Sequence, residues 1–224
     1  MPRIHPNFPV SDSPASSNSS ITAGDEPAVL TVWQKSLLLD CSGFTVYNAK
    51  GNLAFRVDNY STSSLNEIVL MDAVGVALFT IRKKALNPFN FSTSTQRFTL
   101  TDQWDIYEGE GATPTRPCFS ASKQFSLLRS KSLAHVTSLG AAAGGTLDSN
   151  YSVEGSFSHR MCAVYNGMQQ KVSEIRPKEV VGDVTFGGDV FSLLVQPGFH
   201  CALAMAIVIL LDRMFGPRAS WITG

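Results

Sequence analysis

The sequence predicts a mainly-β fold: a closed antiparallel β-barrel of about twelve strands around one central hydrophobic C-terminal helix. Three observations carry this. FTVYNAKGNLAFRV (44–57) and IVLMDAVGVALFTI (68–81) align with each other, and both alternate apolar and polar residues around a turn. Further short strand-like segments follow at close spacing through the rest of the chain. The segment 201–211, CALAMAIVILL, is apolar without a break.

The first 27 residues are rich in Ser and Pro and poor in large apolar groups. They cannot bury enough surface to offset their ordering entropy, so residues 1–27 are expected to be a disordered tail. A single domain is expected over 28–217, with a short tail at 218–224. Ser11 to Ser20 form a cluster open to phosphorylation, although a solvated tail without a role is the preferred reading. The N-terminal stretch has no apolar core of the kind a secretory signal carries. Cys41, Cys118, Cys162 and Cys201 are scattered without a CxxC pair, which points to a reducing compartment and free, buried thiols. The Asn-x-Ser triplets at Asn18 and Asn90 are then chance matches and not glycan sites.

A first strand is expected over 30–38. In the aligned pair, Phe44 matches Ile68, Val46 matches Leu70, Asn48 matches Asp72 and Gly51 matches Gly75. Asn and Asp cap turns through their side chains and Gly supplies a positive φ, so each unit is a β-hairpin. MCAVYNGMQQKVSEI (161–175) is a degenerate third copy, with Asn166-Gly167 at the turn and Cys162, Val164, Val172 and Ile175 as its buried side. The remaining strands are expected at 97–108, 124–129, 133–139, 151–157 and 189–195. Gly, Pro and Ala mark 108–117 and 140–150 as loops.

The apolar segment is too short to cross a bilayer, which takes roughly 20 residues. Gly198 precedes it and Gly216-Pro217 follows it, so about 16 residues are available for a helix at 199–214. A helix that is apolar all round has to be enclosed. A long antiparallel sheet wrapped around it would bury both the helix and the inner face of the sheet. No transmembrane span is expected.

The two hairpins, then WDIYEGE, YSVEGSFSHRMCAVY, DVFSLLVQPG and a helix ending ILLDRMFG, occur in an order that resembles the plant LURP-one-related family over residues 29–216. The resemblance implies a tubby-C-terminal-like barrel around a hydrophobic helix. It departs at two points. His200 stands where families of this type often carry Asp after Pro-Gly-x, and NGMQQK replaces the usual Gly-containing four-residue turn. Tubby proteins bind phosphoinositides at the plasma membrane and can move to the nucleus, and phospholipid scramblases share the fold. LURP-one-related proteins are linked to plant defence. Fold analogy does not by itself deliver a function.

The residues point away from catalysis. His159 and Cys162 are three apart on one strand and would face opposite sides. His200 and Cys201 have no second ligand pair spaced to join them in holding a metal. His5 lies in the tail, and no GxSxG, P-loop or HExxH occurs. In TDQWDIYEGE, Trp104 and Tyr107 are expected to pack on the barrel, while Asp102, Asp105, Glu108 and Glu110 face water without the alternation of a calcium loop. No catalytic residue, metal or cofactor is expected.

Basic residues carry the functional expectation. Lys plus Arg equals Asp plus Glu, 18 against 18, so no global field draws the chain to nucleic acid, and any anion contact requires a local patch. Arg82, Lys83 and Lys84 end the second hairpin. With Ala77, Phe79 and Ile81 inward, Arg82 and Lys84 point outward. Arg129 and Lys131 lie on another strand candidate, and Arg176 and Lys178 end the third hairpin. The bland reading is a set of solvated strand ends that discourage edge pairing. The sharper reading is a non-enzymatic binding or signalling module, cytoplasmic, peripheral to the plasma membrane or shuttling to the nucleus. In it Arg82, Lys83 and Lys84 contact anionic phospholipid headgroups. A scramblase-like lipid-handling protein ranks below it, because the chain lacks a cysteine cluster and a calcium segment. An uncharacterised enzyme ranks third.

Overall fold

The computed structural model describes residues 26–38, 42–59, 67–84, 103–110, 116–124, 132–140, 150–178 and 187–216. Among them are twelve strands and one helix: β1 (Ala28–Trp33), β2 (Ser42–Tyr47), β3 (Leu53–Asn59), β4 (Glu67–Asp72), β5 (Ala77–Lys83), β6 (Gln103–Glu108), β7 (Phe119–Lys123), β8 (Ser132–Ser138), β9 (Asn150–Ser156), β10 (Met161–Tyr165), β11 (Lys171–Pro177), β12 (Val190–Val195) and α1 (Cys201–Phe215). Each strand pairs antiparallel with its sequence neighbours, and β1 pairs with β12, so the barrel closes. Closure leaves no sheet edge.

Alternation places the inner residues. Val32, Val46, Phe55, Leu70, Ile81, Ile106, Val136, Val153 and Leu193 are buried against α1. Every helical residue from Cys201 to Met214 is buried except Arg213, which is half-buried. No helix among the described residues is long and apolar enough to cross a membrane. The helix begins two residues later than the sequence suggests. Pro197 and Gly198 form a turn first, with Gly198 at φ +83° and the Phe199 N–H donated to Gln196 O.

The three hairpins use one turn. The side-chain Oδ1 of Asn48, Asp72 or Asn166 accepts the N–H groups two and four residues on, at 2.8–3.1 Å. The fourth turn residue has a positive φ: Gly51 at 78°, Gly75 at 95° and Gln169 at 60°. The third turn is therefore not centred on Asn166-Gly167. It is the same four-residue turn, with Gln169 in the glycine position. On β11 it is Ser173, opposite Val164 and Val195, that faces inward, and Val172 is half-buried on the other side. A bulge between Val164 and Tyr165 moves the register and defeats a simple count from Cys162.

Other expectations need correction. The strand expected at 124–129 falls, beyond residue 124, outside the described residues, and just before it lies a strand the sequence did not suggest, Phe119–Lys123, where Phe119 and Ala121 alternate inward with Ser120 and Ser122 outward. The second inward residue is only an alanine, which makes the period faint. Residues 125–130 lie outside the described residues, as do 1–25 and 217–224 of the expected tails. The strand expected over 30–38 stops at Trp33, because side-chain hydrogen bonds take over from the ladder at Lys35 and Ser36.

Candidate functional site

Antiparallel pairing all round gives the barrel two distinct ends. Odd-numbered strands finish, and even-numbered strands start, at the end where α1 terminates. The C-termini of β5, β7 and β11 therefore bring Arg82 to Lys84, Lys123, and Arg176 with Lys178 to one rim. The β9–β10 turn adds Arg160 and the residues after β1 add Lys35. The hairpin tips, with Asp72, Glu108 and Glu110 near them, lie at the other end.

Arg82 is held. Its Nε donates to Glu67 Oε2 at 2.9 Å across the β4–β5 pair, and its guanidinium sits 5.3 Å from the Tyr107 ring centre. Lys83 is exposed, with Nζ 5.9 Å from the ring of Trp104, whose body is buried inside the barrel mouth. Lys84 is exposed and its backbone N–H is donated to Gln103 O at 2.9 Å. Ile81 points inward and Arg82 outward, as alternation requires, while Ala77 and Phe79 are only half-buried near the start of the strand. Asp105 does not face water. It stands between Arg82 and Ser120 in register on the neighbouring strands and is 9% exposed. Glu108 and Glu110 are exposed, and Asp102 lies outside the described residues.

On β11 the cations are more engaged. Arg176 Nη2 donates to Glu174 Oε2 at 2.7 Å, and Lys171 Nζ donates to the same oxygen at 2.7 Å. The hydrogen bond from Arg176 holds the Glu174 carboxyl below its ordinary pKa, with burial opposing it and Lys171 helping. Lys178 Nζ reaches across β12 to Thr31 Oγ1 at 3.0 Å. Arg129 and Lys131 lie outside the described residues.

Sequence reasoning missed Arg160. It adopts φ 54°, a conformation most side chains avoid, and its guanidinium lies 4.4 Å from the rings of both Phe157 and Phe191. Its Nη2 donates to Gln34 Oε1 at 2.6 Å and its Nε to Gly188 O at 2.9 Å. Gln34 Nε2 in turn donates to Asp212 Oδ1 at 2.7 Å, on the last turn of α1. Burial lowers the Arg160 pKa, opposed chiefly by the charge of Asp212. Lys123 Nζ closes the same end, donating to Met214 O at 2.8 Å while lying 4.4 Å from the Phe215 ring. A cation at a helix C-terminus also meets the negative end of its dipole. No spacing in the sequence announces these contacts. The only signal is the charged pair Asp212-Arg213, placed inside an otherwise apolar helix.

The histidine pairs do not assemble. His159 lies on the exposed β9–β10 turn with Nδ1 2.8 Å from Ser156 Oγ, whereas Cys162 is buried in the barrel. Burial pushes the Cys162 thiol up to about 11, with Arg160 opposing. Burial likewise raises Cys118 and Cys201. Raised thiol pKa values make poor nucleophiles at neutral pH. His200 is exposed before α1, its ring edge-on to Phe79 at 6.5 Å. Among the described residues no group of three His, Cys, Asp or Glu side chains is arranged to hold a metal ion.

Comparison with known proteins agrees with this architecture. The family model described as LURP-one-related matches residues 28–212. Protein LURP-one-related 8 of Arabidopsis thaliana is 40% identical over 219 residues, covering 96% of this chain and 98% of its own. Protein LURP-one-related 17 of the same plant is 38% identical over 222 residues, covering 91% and 93%. Among solved structures, the X-ray structure of a protein from Arabidopsis thaliana superposes with a TM-score of 0.59 at 18% identity, over 87% of this chain and 94% of that one. At that identity the likeness speaks for the fold alone.

Proposed function

This chain belongs to the LURP-one-related family, and on that premise we propose that it acts by binding and not by catalysis, with the cationic rim as its contact to anionic phospholipid headgroups. The observation that carries the reading is the collection of Arg82, Lys83, Lys84, Lys123, Arg160 and Lys178 from four separate stretches of chain at one end of an electrically neutral protein. A charge field of this kind acts locally, because it extends only about a Debye length, about 10 Å at 0.1 M salt. Within the triplet, Glu67 already neutralises much of Arg82, and Lys83 and Lys84 are the exposed pair.

Each Lys near an anionic membrane surface contributes about 1 kcal/mol. Lys83→Ala with Lys84→Ala should therefore weaken binding to phosphoinositide-containing vesicles roughly thirtyfold. Adding Arg82→Ala should change little more. Binding should also fall as salt rises. Sedimentation with phosphoinositide vesicles against phosphatidylcholine vesicles tests the reading. Wild-type protein that ignores both vesicle types would refute it.

A further inference from the structure

The same end carries an apolar projection. Within six residues, Trp33, Leu37 and Leu38 are 36%, 46% and 37% exposed. Single exposed leucines are ordinary, but large apolar groups clustered on one surface element are not. The segment that presents them is fastened from below. Gln34 N–H is donated to Asp189 O at 2.7 Å, and Lys35 O accepts from Thr45 Oγ1 at 2.7 Å. Ser36 is buried and donates to the buried Asp58 at 2.6 Å, while its Oγ accepts the Leu38 N–H at 3.0 Å. Gln34 and Ser36 are thus turned into the protein, while Trp33, Lys35, Leu37 and Leu38 are turned out. A loop with no partner would gain by the opposite arrangement.

We infer that residues 33–38 form an insertion loop, which enters the interfacial layer of an anionic bilayer while the cationic rim meets the headgroups. The inference rests on the lipid reading above and adds the element that gives it depth. Charge favours a membrane over a neutral apolar partner. Lys35 lies inside the patch with Nζ 5.3 Å from the Trp33 ring, and Lys178 bonds Thr31 on the outer face of the same strand. Lys83 and Lys84 stand on the same rim. Among the described residues, Asp189 is an exposed carboxylate beside the loop, and Asp58 is buried in ion-pair reach of Arg56 at 3.5 Å. Tryptophan beside lysine is the composition of membrane–water interfaces, where the ring sits at headgroup level and the lysine stem reaches outward.

Vesicles of phosphatidylcholine with phosphatidylserine, some carrying acyl chains brominated near the headgroup, provide the test. Part of the tryptophan emission should shift blue and be quenched by the brominated lipid, and Trp33→Phe should remove that part. Leu37→Ser with Leu38→Ser should weaken binding roughly tenfold or more, since exposed anchors contribute through buried apolar area. The melting temperature should stay constant. Salt-sensitive binding that is unchanged by the double serine variant would overturn the insertion loop and leave the electrostatic reading standing. Absence of vesicle binding would overturn both. If the double variant instead converts a dimer to a monomer in analytical ultracentrifugation, a second copy covers the patch and the inference fails. If the double variant melts early, quenching at Trp33 decides the matter alone.

Discussion

At the end of the barrel where α1 begins, each hairpin closes on itself. Asn48, Asp72 and Asn166 bond backbone groups only two and four residues away. At the end where α1 stops, the bonds cross the chain. Arg160 reaches Gln34 over 126 positions, Gln34 reaches Asp212 over 178, and Lys123 reaches Met214 over 91. The first end consists of independent turns whose tips touch little, so Val74 and Met168 stand 84% and 74% exposed. The second end is one connected polar assembly that ties the helix to β1, β7 and the β9–β10 turn. Local turns tolerate change one at a time. A connected assembly responds as a unit, and it can hold several cations in fixed positions, as an anion-binding surface requires.

The largest expected effect lies in the helix that joins the two ends. Ala206 is fully enclosed. Ala206→Asp would bury an unpaired carboxylate at a cost of several kcal/mol, and far-ultraviolet circular dichroism should show an unfolded or insoluble chain. A folded, soluble variant would mean that the helix is not the shared core of the two ends.

Next comes the polar assembly. Arg160→Met leaves the Gln34 Oε1 without its donor and removes the charge that faces the buried Asp212, and should cost about 2–4 kcal/mol in chemical denaturation. Asp72→Ala at the opposite end should cost about 1 kcal/mol, the value of a side-chain cap. Equal costs would erase the contrast between a connected and a local end.

The Cys162 thiol, near the start of β10 and two residues after Arg160, offers a test by pH. Its pKa rises from 9.0 unfolded to about 11 folded. A raised folded pKa means that the stability is fully present below pH 9 and is lost as pH rises towards about 11. The melting temperature should fall across that window, and Cys162→Ala should fall less steeply. Parallel slopes would show that the thiol is not buried as described.

The smallest effect distinguishes the three turns. Gln169 occupies a left-handed conformation that Gly51 and Gly75 adopt without strain. Gln169→Gly should stabilise the protein by about 0.5–1 kcal/mol, and Gly51→Ala should destabilise it by a similar amount. No change at Gln169 would mean that side-chain contacts compensate there.

The same contrast explains what the sequence could convey. Asn48 to Gly51 and Asp72 to Gly75 are local signals, and they placed β2 to β5 and their turns correctly. The apolar run at 201–211 announced an enclosed helix, because nothing but a wrapped sheet could bury every face of it. The third turn was legible as a hairpin but not in detail, since Gln169 hides the glycine position and the bulge at Val164 breaks the count to Ser173. β7 was obscured because Phe119 and Ala121 give a weak alternation. Of the rim, only Arg82 to Lys84 and the Arg176–Lys178 pair formed visible clusters. Arg160, Lys123, Gln34 and Asp212 are single residues whose meaning arises when strands far apart in sequence end at one rim.

The central claim is that one end of this neutral barrel, and not its overall charge, meets an anionic surface. Two charge-reversal variants test it with the same net change. Lys83→Glu with Lys84→Glu alters the rim where α1 stops, and Lys50→Glu with Lys171→Glu alters exposed cations at the opposite end. Affinity for phosphoinositide vesicles should drop roughly thirtyfold or more in the first variant and hold near the wild-type value in the second. Equal losses in both, or a loss only in the second, would contradict the account.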